Sequence, residues 1–205
     1  MKILAFSDLH ANMGMFTTLK KNAKTVDLLL NCGDFTIFGQ KQTLWLKNLA
    51  SLKKPMILIH GNHETSSEVE RDCKKFPGFS FIHKKGAEYE NILILGYGGG
   101  GFGTIDREFE RIAPAFQNAI KQAKKKKKET VVILMTHGPP YKTSLDTVGK
   151  EHCGNKSYRE FIKKNPIDYY FCGHIHETAE RKDTIGRCTI INPGPRGIMI
   201  DVKSQ

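Results

Sequence analysis

Met56-Ile57-Leu58-Ile59-His60-Gly61-Asn62-His63-Glu64 is the stretch on which the fold turns. Its apolar start reads as a buried strand. Gly61 lets the backbone turn sharply where that strand stops. Asn62 then offers a neutral carbonyl oxygen and His63 an imidazole, one group able to hold a metal beside one able to move a proton. Gly-Asn is a common turn by itself, so the weight of the stretch depends on whether other strand ends supply matching ligands.

Upstream, Lys2 to Ser7 and Asp27 to Asn31 are apolar runs of the same kind. Between the runs the spacing becomes helical. Asn12 to Lys24 sets Met13, Phe16 and Leu19 on one face, and Gln40 to Leu52 does the same with Leu44, Trp45, Asn48 and Leu49. Thr65 to Lys75 reads as a third helix, with Thr65 as its cap and Glu68 three residues on. That alternation predicts parallel strands with helices packed outside. The three strands end in Asp8-Leu9-His10, Gly33-Asp34 and Gly61-Asn62-His63. In such sheets a site lies beyond the carboxyl ends of the strands, so the three signatures point into one crevice.

Downstream, Phe79 to Ile82 and Ile92 to Leu95 read as short strands, and Gly96 to Gly103 as a flexible loop. That loop matches GxGxxG, but no Lys-Ser/Thr follows, so it is not a Walker loop. Tyr97 and Phe102 are its candidates for stacking on a base. Asp106 to Lys124 is a long helix that Pro114 is expected to kink or divide, closed by Lys124 to Lys128. Thr130 to Met135 is a strand ending at Thr136-His137-Gly138-Pro139-Pro140. Lys156 to Lys164 is a helix, and Asp168 to Cys172 a strand ending at Gly173-His174-Ile175-His176. Short strands over Thr178 to Thr184, Arg187 to Ile191 and Gly197 to Val202 complete the chain. With no repeat and no linker, residues 1–205 read as one domain.

The composition agrees. A chain of 205 residues, 39% hydrophobic and 26% charged, is long enough to bury a core. Its five cysteines are odd in number and form no CxxC pair, which argues against a disulfide framework or a thiolate zinc site. Cys32 and Cys172 sit in apolar runs as buried thiols. A reducing compartment, the cytoplasm, is the setting this implies. No apolar stretch has membrane-spanning length, so no membrane partner is expected. The net charge of +11 would attract polyanions, nucleic acid included. The bland reading of those lysines, the run Lys124 to Lys128 included, is a solvated surface.

The polar residues just beyond apolar runs are Asp8, His10, Asp34, Asn62, His63, His137, His174 and His176, among them five of the eight histidines. His60, His83 and His152 have no partner motif; His60 reads as structural and the other two as surface residues. Residues two apart in an extended segment point the same way, so Asp8 with His10, and His174 with His176, can grip one ion together or serve two. Carboxylate, imidazole and amide oxygen without thiolate favour Mn, Fe, Zn or Ni. The ligands are too many for one ion with an open position and about right for two.

Taken together, Asp8-x-His10, Gly33-Asp34, Gly61-Asn62-His63-Glu64, His137 and Gly173-His174-x-His176 resemble the calcineurin-like metallophosphoesterase family, over Ile3 to about Gly197. The resemblance implies a mixed α/β fold, a four-layer αββα sandwich of two mixed β-sheets. It implies two divalent metal ions. Asp8, His10 and His176 would hold one, Asn62, His137 and His174 the other, with Asp34 bridging. A hydroxide shared by the metals would attack phosphorus, and His63, as an imidazolium, would protonate the leaving oxygen. The family's protein phosphatases carry Asp-Arg-Gly shortly after Gly-Asp, whereas Asp34 is followed here by Phe35-Thr36-Ile37-Phe38-Gly39. The fourth motif and Asn192-Pro193-Gly194 look instead like small phosphodiesterases. A phosphate-ester substrate, small or nucleotide-like, is therefore expected. The competing readings are a nuclease acting on DNA or RNA and a non-catalytic scaffold.

Overall fold

The computed structural model describes residues 1–202. The first half alternates as its periodicity predicts: β1 (Lys2–Phe6), α1 (Met13–Asn22), β2 (Leu28–Asn31), α2 (Gln42–Ala50), β3 (Met56–Leu58), α3 (Ser66–Cys73) and β4 (Phe79–Phe81). Asn12 caps α1, its side chain accepting the Met15 N–H at 3.0 Å. The expected cap of α3 differs. The Thr65 hydroxyl donates to the Glu68 carboxylate at 2.7 Å and makes no bond to the backbone of the first turn.

The second half runs β5 (Lys85–Tyr89), β6 (Ile92–Tyr97), α4 (Arg107–Lys126), β7 (Val131–Thr136), a small hairpin of β8 (Thr147–Val148) and β9 (Glu151–His152), α5 (Lys156–Lys164), β10 (Tyr169–Phe171), β11 (Lys182–Ile185), β12 (Cys188–Ile191) and β13 (Ile198–Asp201). Three expectations change here. β6 continues past Leu95, because Gly96 and Tyr97 pair with Met135 and Thr136 of β7 and Tyr97 buries its ring. α4 is continuous through Pro114. The segment from Thr178 does not begin a strand: His176–Thr178 is a 3-10 turn, pinned where the Thr178 hydroxyl bonds the Leu145 and Ile175 carbonyls.

The strands form two mixed sheets. One has the order β13-β1-β2-β3-β4, parallel except where β13 pairs with β1. The other has the order β11-β12-β10-β7-β6-β5, antiparallel only at its two edges. The side chains that alternate along the strands divide among three apolar layers. Ile3, Leu28, Leu30 and Ile57 of the first sheet meet Ile94, Ile133 and Phe171 of the second, face to face. Leu4, Leu29 and Leu58 turn outward onto Phe16, Leu19, Trp45 and Leu49 of α1 and α2. Leu95, Leu134 and Tyr170 turn the other way onto Phe109 and Phe116 of α4 and Phe161 of α5. Helices, sheet, sheet and helices therefore stack as four layers. β1, β2 and β3 in one sheet, and β6, β7 and β10 in the other, deliver their carboxyl ends to the same edge. Contacts cross between the sheets there: His137, beyond β7, bonds the Cys32 carbonyl beyond β2, and the His174 N–H, beyond β10, bonds Asp8 beyond β1.

Asp72 ties α3 to α2. Buried, it accepts from the Gln42 amide at 3.0 Å and the Thr43 hydroxyl at 3.1 Å, and from Arg71 and Lys75 on its other oxygen. Lys41 caps α2 without a side-chain bond, so Asp72 is also the negative charge beside the start of that helix. The Arg71 hydrogen bond, opposed by desolvation, holds the Asp72 carboxyl well below its ordinary value of 3.8. A carboxyl lowered by folding stabilises fully above its unfolded value, and that contribution is lost as pH falls below it. Asp72→Asn is expected to lose about 1–3 kcal/mol in urea unfolding at neutral pH. The gap from wild type should narrow between about pH 5 and pH 3; a gap independent of pH would show that the charge does not matter.

Candidate metal centre

Each candidate residue sits just past the end of a strand, where the backbone leaves the sheet. Asp8, His10, Asp34 and His174 all lie in the left-handed region, with φ of 54°, 43°, 52° and 71°. That region costs a residue with a side chain about 1–2 kcal/mol, and Asp, Asn and His tolerate it best. Strain at four such residues on one edge marks a place where aim has been favoured over stability.

The carboxylates are held by backbone N–H groups. Asp34 accepts the His63 N–H at 2.8 Å, and Asp8 accepts the His174 N–H on both oxygens at 3.1 Å and the Ser7 hydroxyl at 2.6 Å. Close approach at these points requires glycine. A methyl group on Gly61 would overlap Asp34 Oδ1, and one on Gly173 would overlap Asp8 Oδ2.

The donor atoms converge. His10 Nε2 and His176 Nε2 stand 3.0 Å apart, and they lie 4.0 and 3.7 Å from Asp8 Oδ1. His137 Nε2 is 3.2 Å from Asp34 Oδ2 and 3.0 Å from Asn62 Oδ1, and Asn62 Oδ1 is 2.8 Å from His174 Nδ1. Asp34 Oδ2 is also 3.9 Å from both His10 Nε2 and His63 Nε2. Three overlapping groups of donors result: Asp8 with His10 and His176, His10 with Asp34 and His63, and Asp8 with Asp34 and His137. All eight sequence candidates, His63 among them, are thus brought to one place.

The donor set suits cations. The Nδ1–H of His10 donates to the Thr36 carbonyl at 3.2 Å, and that of His137 to the Cys32 carbonyl at 2.9 Å. His10 then presents a bare Nε2 lone pair to the centre, and His137 does so once a cation replaces the proton that Asp34 favours there, as metal-binding histidines do. His174 Nε2 is buried with no partner. Burial alone would raise the Asp34 carboxyl, but the His137 hydrogen bond and charge outweigh it and hold it at about 2. Burial likewise opposes charge on His137, yet Asp34 pushes that ring up to about 9. Burial lowers His174 to about 4. A cluster of this kind takes up positive charge on one side and offers neutral ligands on the other.

Residues 1–178 match the family described as calcineurin-like phosphoesterase. The chain belongs to that family. Membership makes this phosphoesterase a metal-dependent hydrolase of phosphoesters. A protein of Methanocaldococcus jannaschii, MJ1162, is 29% identical over 208 residues, covering 98% of this chain and 91% of its own. The crystal structure of TT1561 from Thermus thermophilus superposes with a TM-score of 0.72 at 17% identity, over 94% of this chain and 88% of that one. A dimetal phosphatase from Danio rerio superposes with a TM-score of 0.62 at 8% identity, over 93% and 86%. At such identities the two structures speak for the fold alone.

Several residues around the phosphoesterase site were not singled out by the sequence. Glu64, buried, accepts the Gly61 and Asp34 N–H groups at 3.0 Å, the Thr36 N–H at 2.8 Å and the Thr36 hydroxyl at 2.7 Å. It braces the loops after β2 and β3 together; its only signal was its place in the Gly-Asn-His-Glu stretch. Phe38 donates its N–H to His63 Nδ1 at 3.2 Å and stacks on that ring. With Nδ1 engaged there, His63 turns its Nε2 toward Asp34, 3.9 Å away. His83 is half-buried rather than freely exposed: its ring lies against His60 and Tyr97, and its Nδ1 accepts the Gly98 N–H. His152 is exposed, paired with the buried Asp146 at 2.7 Å. Tyr97 is buried against Phe109 and Tyr158, so it is not available to stack on a base. The lysine run lies at the start of β7, the opposite end from His137. There Lys124 donates to the Thr130 carbonyl and Lys126 pairs with Glu88.

Gly61→Ala is expected to displace Asp34 and weaken Mn uptake, measured by equilibrium dialysis, by about tenfold or more, with the far-ultraviolet circular dichroism unchanged. Unaltered uptake would show that Asp34 is not needed where it stands.

Proposed function

We propose that this phosphoesterase hydrolyses phosphodiester bonds, with phosphomonoesters as slower substrates, in a small nucleotide-like molecule. The observation that carries the reading is the placing of Asp34 between two sets of donors, within 3.9 Å of His10 Nε2 and 3.2 Å of His137 Nε2. In this reading Asp8, His10 and His176 hold one divalent cation, Asn62, His137 and His174 hold another, and Asp34 serves both. The ions are drawn from Mn, Fe, Zn and Ni, since the set combines imidazole with carboxylate and amide oxygen and has no thiolate. When bound, the cations supply Lewis acidity, which acidifies water and neutralises the phosphoryl oxygens. The name of the Danio rerio relative, a dimetal phosphatase, favours two ions.

The chain's own groups do the rest. Glu64 and the N–H groups on Asp8 and Asp34 fix the carboxylates before any substrate arrives, so no reorganisation is needed as charge shifts. His63 offers its Nε2–H toward the centre and hydrogen-bonds the departing oxygen. The lysine run lies at the far end of β7, away from the site, so that run offers a nuclease no track there, which favours a small substrate. The whole chain acts as one domain in this account, because both sheets share one buried layer. The buried free thiols of Cys32, Cys73, Cys172 and Cys188 suit a cytoplasmic setting. Among the described residues no helix is long and apolar enough to cross a membrane.

With Mn added, hydrolysis of bis-p-nitrophenyl phosphate is expected to exceed that of p-nitrophenyl phosphate. Hydrolysis of neither, with Mn, Fe, Zn or Ni, would favour the scaffold. His63→Ala should keep its bound Mn and lose about 10²-fold or more in kcat on esters with poor leaving groups. Unchanged turnover of such esters would remove His63 from the chemistry.

A further inference from the structure

Two phenylalanine rings stand in water beside the metal centre. Phe38 is 73% exposed and Phe102 is 64% exposed. Each lies against an imidazole of the site. Phe38 stacks on His63, with ring centres 4.3 Å apart and planes 19° apart, and Phe102 leans on His174 at 4.5 Å and 54°. His63 follows β3 in the first sheet and His174 follows β10 in the second. The rings therefore rise from the two sheets, each against a group that closes on Asp34 or Asn62.

Neither ring is exposed through slackness of its loop. Phe38 holds a left-handed backbone, φ 48°, a costly state for a bulky residue. Its turn is tied by the Phe38 N–H on His63, the Gly39 N–H on the Thr36 hydroxyl at 3.1 Å and the Gln40 N–H on the Ile37 carbonyl at 3.0 Å. The loop of Phe102 is tied at both ends. At its start the Gly98 N–H meets His83 Nδ1 at 3.0 Å and the Gly99 N–H meets the His60 carbonyl at 2.9 Å. At its finish the Asn155 amide reaches the Gly103 carbonyl and the Lys156 N–H reaches the Thr104 carbonyl, both at 2.7 Å. A methyl group on Gly98 or Gly99 would run into His60, which explains why this approach is built from glycine. Phe102 is the one large side chain at the tip, between Gly101 and Gly103. The scaffold thus presents two flat apolar rings to solvent beside the donor cluster.

We infer that Phe38 and Phe102 form a split aromatic platform that receives the planar base of a nucleoside phosphoester. The inference rests on the phosphoesterase reading and narrows its substrate class. Every base has a π-face, and stacking on an aromatic side chain needs no hydrogen-bond readout, so the platform selects for a base without selecting which. A phosphorylated sugar would leave both rings wet. His63 and His174 back the two rings, so a stacked base also sets how the ester presents itself to His63.

The test is isothermal titration of the Mn-loaded protein with adenosine 5′-monophosphate and with ribose 5-phosphate, which carries a hydroxyl in place of the base. The nucleotide is expected to bind about tenfold tighter or more, and Phe38→Ala and Phe102→Ala are each expected to cut that preference about fivefold or more. Phe102→Tyr, which keeps the ring, should retain it. Equal binding of the two ligands by the wild type, or a preference untouched by both alanine substitutions, overturns the platform and leaves the phosphoesterase reading standing. Binding of neither ligand also overturns the platform, while hydrolysis of bis-p-nitrophenyl phosphate by the same protein decides the phosphoesterase reading separately.

Discussion

The packing of two buried carboxylates, Asp8 and Asp34, into one small space is the constraint on which the rest of this structure depends. Two negative charges so placed repel each other and have lost their water. The protein offsets this in two ways. Backbone N–H groups of His63 and His174 bond the carboxylates directly. Imidazoles from both sheets close around them with lone pairs that only a proton or a cation can satisfy. His137 shows the tension most plainly, since its charge is favoured by Asp34 against complete burial. Packing alone would have been served better by apolar residues.

The fold makes the convergence geometrically cheap. Parallel strands in each sheet deliver their carboxyl ends to one edge, and two sheets packed face to face bring two such edges together. Donors come from the first sheet and from the second, so the buried layer between the sheets sets the spacing of the site. That layer is aliphatic, built from residues such as Ile3, Leu30, Ile94 and Ile133, and interiors of this kind yield little to small forces. The glycines at 61 and 173 then allow approaches that any side chain would block.

Much of this was legible in the sequence for a simple reason: a strand buried on both faces is a continuous apolar run, and the polar residue that ends it stands out. Asp8, Asp34, Asn62, His137 and His174 all announced themselves in that way. β5 did not, because Lys85-Gly86-Ala87-Glu88-Tyr89 is a largely exposed edge with no clean alternation. Glu64 gave no sign of its role, since its partners Asp34 and Thr36 lie thirty and twenty-eight residues away. The left-handed backbone at Asp8, His10, Asp34 and His174 is likewise invisible to periodicity. Helix faces were read with the right period and some wrong edges. Leu44 of α2 is exposed while Trp45, Leu46 and Leu49 are buried, because tertiary packing and not spacing decides the phase.

The central claim is that side chains from both sheets cage a pair of divalent cations around Asp34. Crystals grown with Mn, measured at a wavelength where Mn scatters anomalously, test it directly. The account predicts two peaks about 3.5–4 Å apart, one beside Asp8, His10 and His176, the other beside Asn62, His137 and His174, with Asp34 reaching both. No peak at Asp34, or Mn bound only elsewhere on the surface, would contradict it.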